Sequence, residues 1–199
     1  MDTQNRKTLW IGLGHVKGVG KDTVGNMMIE WVLQNVGMGT TVSFARELKL
    51  IAQRLFEKKG MRGPLAYDMD RVAKETPLPE LNNLTPRDIY IKLGGCIREI
   101  CPTYWMDFVL DDPWYARTMD VVVVTDVRYL NEVERLHEMG AILIDVMRPG
   151  YTSDDPVDAA LDGVLWQNYT ISNDGDLEHL RNSVGHIMQG IWDIHGALR

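Results

Sequence analysis

Residues 8–23, TLWIGLGHVKGVGKDT, restrict the possible folds more than any other stretch of this chain. An apolar run ends in a glycine-rich turn, and Gly20, Lys21, Asp22 and Thr23 open a helical pattern. A strand, a glycine loop and a helix in that order make a phosphate-binding loop, or P-loop. Glycines let main-chain N–H groups curl around an anion, and the helix behind them presents unpaired donors and its positive end to the same anion. Lys21 is then placed to reach the β- and γ-phosphates of a nucleotide, and the Thr23 hydroxyl to ligate Mg²⁺. Gly18 lies inside the turn, and Lys17 beside it adds a second positive charge. The pattern GxxxxGK[ST] is not met literally. His15 stands at the first glycine and Asp22 follows the lysine, so the hydroxyl comes one residue late.

The rest of the chain alternates strand and helix. Residues 22–36 carry apolar side chains at helical spacing and stop at Gly37 and Gly39. A short strand, 40–45, and an amphipathic helix, 47–60, follow. From 61 to 85 prolines and asparagines accumulate and periodicity fades, which predicts an irregular or partly helical insertion. TPRD at 85–88 then starts a helix with Thr85 as N-cap and Pro86 in the first turn, running to about Cys101. A second short helix covers YWMDFVLDD.

The run MDVVVVTDVR places four valines, 121–124, ahead of Asp126 and Arg128. Consecutive apolar residues of this kind suit a strand buried on both faces of a parallel sheet. Ligands of such sheets bind at the C-terminal strand edge, where Asp126 could hold Mg²⁺ or cap the turn into the next helix, 131–140. On that helix Glu132, Glu134 and Glu138 read as a solvated face. Strands at 141–149 and 168–174 and a closing helix from 177 complete the pattern, and the acidic, turn-rich segment 150–167 reads as a flap or a plain surface loop.

Composition narrows the function. At 199 residues the chain suffices for one domain with a substantial core. A net charge of −7 argues against a protein that coats nucleic acid, and neither a membrane span nor a signal-peptide core is present in the sequence, which predicts a cytoplasmic protein. Cys96 and Cys101 are too few for a metal site without histidines, and the five histidines show no ligand spacing, so no structural metal is expected. Ile191, Trp192 and Ile194 admit either a core position or a homodimer contact.

Taken together, VKGVGKDT, FARELK, DRVAKE, TPRDIYIKLGG, PTYW, TDVRYLNEVERLHEMGAILIDVMRPG and ISNDGDLEHL resemble the bacteriophage-type deoxynucleoside monophosphate kinases over nearly the whole chain. The resemblance implies an α/β, three-layer P-loop NTPase fold with a mostly parallel sheet flanked by helices. It implies one domain, 1–199, with a small helical or irregular substrate-binding insertion at 61–118. It also implies phosphoryl transfer from ATP, with Mg²⁺, to a deoxynucleoside monophosphate (dNMP), in the host cytoplasm if the gene is a phage's. The partners implied are these small nucleotides, not nucleic acid or membrane.

By the same resemblance, Lys17, Gly20, Lys21, Asp22 and Thr23 match the ATP loop, and Lys49, Arg71, Arg87, Trp105, Asp126, Arg128 and Glu132 match positions around the monophosphate. Arginine forks bind phosphate in a bidentate way, and a tryptophan face can stack on a base. Lys21, Arg128 and Asp126 are the expected catalytic residues, with Thr23 and Asp126 toward the metal. His15, Gly18, Ile91, Asp155 and Asp158 depart from the family pattern. Two other readings share the loop: a related small-molecule kinase such as a dephospho-coenzyme A kinase, and a non-catalytic nucleotide-binding accessory protein.

Overall fold

The computed structural model describes residues 7–14, 16–60, 71–152 and 158–195, with only the main chain at Arg71 and Asp158. His15 and Asp155, two of the departures noted above, lie outside the described residues, as do the side chains of Arg71 and Asp158.

Five strands form one sheet: β1 (Leu9–Gly14), β2 (Gly39–Val42), β3 (Val121–Val127), β4 (Ile142–Met147) and β5 (Tyr169–Ser172). Their order across the sheet is β2-β3-β1-β4-β5, and every pairing is parallel. β1 is therefore central, and the loop that leaves its C-terminal end emerges between the ends of β3 and β4. The valines of β3 explain its place beside β1. Val121–Val124 are all fully buried, and burying each is worth roughly 1.5–3 kcal/mol, whereas an exposed ion pair contributes only about 0–1 kcal/mol.

Helices cover both faces. Helix α1 (Lys21–Asn35) buries Val24, Met27, Met28 and Val32, a stripe at helical spacing. The closing helix, which we number α8 (Leu177–His195), buries Leu180, Val184, Met188 and Ile191 against the same core. Ile191 is thus a core residue, while Ile194 is exposed. On the opposite face lie α7 (Leu130–Glu138), packed on β1 and β4, and α6 (Pro113–Thr118), whose Tyr115 meets Trp10 of β1 edge to face at 5.9 Å. These three layers form the expected α/β P-loop fold. No helix among the described residues is long and apolar enough to cross a membrane.

The chain divides into two compact units. The larger contains the sheet with α1, α6, α7 and α8, and the smaller runs from Phe44 to Asp111. The smaller unit holds α2 (Ala45–Lys58), α3 (Arg71–Lys74), α4 (Pro86–Ile100) and α5 (Tyr104–Leu110), with α2 packed on α4 and α5. Thus α2, upstream of residue 61, belongs with this helical unit, and α6 belongs with the sheet. Helix α4 begins as expected: Thr85 Oγ1 accepts from the Asp88 N–H at 3.0 Å, and Asp88 Oδ2 accepts from the Thr85 N–H at 2.9 Å. This reciprocal cap satisfies two donors that the first helical turn leaves unpaired.

Candidate active site

The turn between β1 and α1 is built from unusual backbone conformations. Gly18 has φ 82° and Gly20, the N-cap of α1, φ 103°. Side chains rarely adopt such angles, so the path of the loop depends on glycine there. Lys21 is only 7% exposed, and its Nζ donates to the Val16 carbonyl at 2.5 Å. A buried ammonium held by a carbonyl of its own loop sits where an anion in that loop would meet it. Lys17 is half-buried, and Asp22 and Thr23 are exposed on the first turn of α1.

Three distant residues close around this turn. A Cβ on Gly14 would come within 2.5 Å of the Trp166 ring. The Tyr151 ring lies 3.3 Å from a Cβ built on Gly18, and the Arg148 guanidinium lies 4.8 Å from the centroid of that ring. Asn173 Nδ2 donates to the Val19 carbonyl at 2.8 Å, beside Gly20. Neither Tyr151, Trp166 nor Asn173 stands out in the sequence as a site residue. Asn173 reads there only as part of the strand at 168–174, because the partner of its side chain is 154 residues away. The segment 150–167 is also not simply a surface loop: Leu161 and Trp166 are buried, and Asn168 just beyond accepts the Leu143 N–H through its side chain at 2.8 Å.

At the neighbouring strand end, the β1–β3 ladder slips. Gly12 pairs with Val124 but Gly14 with Val127. The extra residue in β3 falls at Thr125 and Asp126, and such a slip re-aims side chains. Asp126 Oδ2 accepts from Ser43 Oγ at 2.8 Å, next to β2. The turn into α7 has its own cap. Glu132 Oε2 accepts from the main-chain N–H groups of Arg128 at 2.7 Å and Tyr129 at 3.1 Å.

Glu132 is therefore not part of a solvated helix face. It is 2% exposed, and these bonds make it a support of the turn that carries Arg128. A carboxylate is tolerated there because two N–H donors satisfy it.

Within the smaller unit, Arg87 lies at the N-terminus of α4 and pairs with Glu75 at 3.3 Å. Lys49 is half-buried on α2. Trp105 corrects the expectation of a stacking face. It is 2% exposed, its Nε1 donates to the Gly94 carbonyl at 3.2 Å, and Tyr104 packs on it edge to face at 4.9 Å. A ring enclosed in this way has no surface left for a base, and its work is to hold α5 on α4. The Asp88 carboxyl is held below its ordinary pKa by the Thr85 N–H and hydroxyl. Both donors favour the ionised form.

Among the described residues no group of three or more His, Cys, Asp and Glu is placed to hold a metal ion by itself. Mg²⁺ carried on a nucleotide needs less, one or two protein oxygens besides phosphate and water. The Thr23 hydroxyl and the Asp126 carboxylate are donors of that hard type.

Comparison with known proteins supplies a second line of observation. The family described as Deoxynucleotide monophosphate kinase matches residues 38–184. A protein of Acanthamoeba polyphaga mimivirus, provisionally named a deoxynucleotide monophosphate kinase, is 26% identical over 193 residues, covering 87% of this chain and 93% of its own length. Similar solved structures include a gluconokinase of Sinorhizobium meliloti, 10% identical with a TM-score of 0.48, covering 98% of this chain and 99% of its own. Another is the dephospho-CoA kinase of Campylobacter jejuni, 11% identical with a TM-score of 0.46, covering 94% of this chain and 98% of its own. Both are too distant to bear on the assignment. The family match begins at Met38, beyond the phosphate loop, so loop and match are independent observations, and by the span of that match this chain belongs to the deoxynucleotide monophosphate kinase family of enzymes.

Proposed function

We propose that the chain transfers the γ-phosphoryl group of ATP to a deoxynucleoside monophosphate, giving the diphosphate and ADP. The observation that carries this reading is Lys21, buried at the helix end of a glycine-shaped loop and bonded to the Val16 carbonyl of that loop.

In this reading an oxygen of the acceptor's phosphate attacks the γ-phosphorus, and the bond from that phosphorus to the β–γ bridging oxygen breaks, with the electron pair leaving on ADP. Charge neutralisation and alignment then matter more than a general base. Lys21 and the loop N–H groups balance the charge of the moving group, and Lys17 and Gly18 complete the loop around the ATP phosphates. Asp22 and Thr23 begin the helix whose positive end faces the same anion. Thr23 and Asp126 would hold Mg²⁺, which when bound neutralises charge on the β- and γ-oxygens. Arg128, with Arg71, Arg87 and Lys49, is assigned to the acceptor's phosphate, because guanidinium forks match its oxygens. Glu132 acts through the turn that presents Arg128.

The test is ADP formation from ATP and Mg²⁺ with a panel of common dNMPs and NMPs, shikimate, gluconate and dephospho-coenzyme A. ADP release that depends on one or more dNMPs is expected. Release that needs only a non-nucleotide acceptor, or that proceeds with none, would overturn the proposal.

A further inference from the structure

Asn173 lies just past β5, where Ser172 pairs with Met147 at the end of the sheet. Its main-chain N–H donates to the Met147 carbonyl at 2.7 Å, so its backbone is tied to β4. From that anchored position its side-chain Nδ2 donates to the Val19 carbonyl at 2.8 Å, in the middle of the phosphate loop. The atom bonded there is a carbonyl oxygen, so the amide must present its NH₂ group and not its oxygen.

A trans peptide is planar, and its C=O and N–H point in opposite directions. Holding the Val19 oxygen toward Asn173 therefore turns the Gly20 N–H away from Asn173. Gly20 completes the fit. A Cβ there would lie 2.7 Å from Nδ2, so the same glycine that adopts φ 103° also leaves room for the amide.

We propose that Asn173 is a positioning residue of the donor-phosphate loop, fixing the Val19–Gly20 peptide so that the Gly20 N–H faces the bound phosphates. The inference rests on the kinase reading above. It adds a residue outside the loop that sets affinity for the donor nucleotide and leaves affinity for the acceptor unchanged.

The experiment combines two measurements on the full chain: calorimetric titration with a Mg²⁺-bound non-hydrolysable ATP analogue, and steady-state kinetics with ATP and the best acceptor of the panel. Asn173→Ala removes the donor and keeps the main-chain bond to Met147. Its affinity for the analogue and its kcat/KM for ATP should each fall roughly tenfold, the size expected for one lost hydrogen bond. The KM for the acceptor should stay within about twofold, a split that a general loss of stability would not produce.

Asn173→Asp keeps the shape but sets a carboxylate against a carbonyl and close to the phosphates. Its loss should exceed that of the alanine variant, and it serves as the test by itself if the alanine variant does not fold. Analogue binding at wild-type strength in these variants would overturn the inference, as would equal losses for donor and acceptor. If the wild-type chain binds the analogue but phosphorylates no acceptor, the kinase reading fails, while the titration still decides the role of Asn173. If the wild-type chain binds no analogue, both fall.

Discussion

Two adjacent strands, β1 and β3, each end in a turn that leads into a helix, and the two turns are held by opposite means. The turn after β3 is secured locally: Glu132, four residues past Arg128, reaches back to its main-chain N–H and to that of Tyr129. The turn after β1 relies on glycine conformations at Gly18 and Gly20 and on side chains that arrive from Tyr151, Trp166 and Asn173. A local cap fixes one turn whatever happens elsewhere. A turn braced from the far end of the chain keeps its shape only when the sheet and the last loops are assembled, which couples anion binding to completion of the fold.

The largest expected effect tests what the braced turn is for. Lys21→Met should lower turnover by about 10²–10³-fold, the range for removing one preorganised charge stabiliser. Circular dichroism should show the fold intact, because methionine fills a similar volume. Near-normal turnover would separate the loop from the chemistry. Next is the local turn. Glu132→Ala leaves two partly buried main-chain N–H groups without their acceptor and should cost about 1–3 kcal/mol in urea denaturation. It should also raise the acceptor KM more than the ATP KM, and an unchanged denaturation midpoint would show that the turn does not depend on its cap.

Gly20→Ala strikes the other turn. Forcing a side chain to φ 103° costs roughly 1–2 kcal/mol, and the new Cβ would push the Asn173 amide off the Val19 carbonyl. Here the ATP KM should rise and the acceptor KM hold, the reverse of the Glu132 variant. If both substitutions disturb the same substrate, the contrast between the turns has no functional meaning.

Arg87→Ala lies in neither turn. Its ion pair with Glu75 is partly exposed, so stability should change by less than about 1 kcal/mol, and only the acceptor KM should rise. The smallest effect concerns the second local cap, at Thr85 and Asp88. The Asp88 pKa is lowered from 3.8 in the fold by the Thr85 N–H and hydroxyl. Its contribution is therefore complete above the unfolded value, and is lost as the pH falls below 3.8 and through the lower folded value. An acid titration of stability should show a small loss there that Asp88→Asn removes.

What could be read along the chain follows the same division. The helix start at Thr85 was legible because its two partners lie three residues apart, and the four valines of β3 declared a doubly buried strand. The phosphate loop was legible because glycine, lysine and hydroxyl stand in sequence order. Glu132 and Trp105 misled, one as a solvated face and the other as a stacking platform. Residue type does not disclose which side chain the fold will enclose, and Trp105 is committed to the Gly94 carbonyl, 11 positions upstream.

The sequence by itself determined the alternation of strand and helix, the glycine-shaped turn with its lysine, and the blocks of family likeness, because each is written in neighbours along the chain. Only the tertiary structure decided that Asn173 meets the Val19 carbonyl, that Tyr151 and Trp166 close on the loop, and that Ser43 bonds to Asp126. Those pairs are brought together by the order of parallel strands in the sheet. Strand order is set by the summed burial of whole strands and helices, a quantity that no local stretch of residues carries.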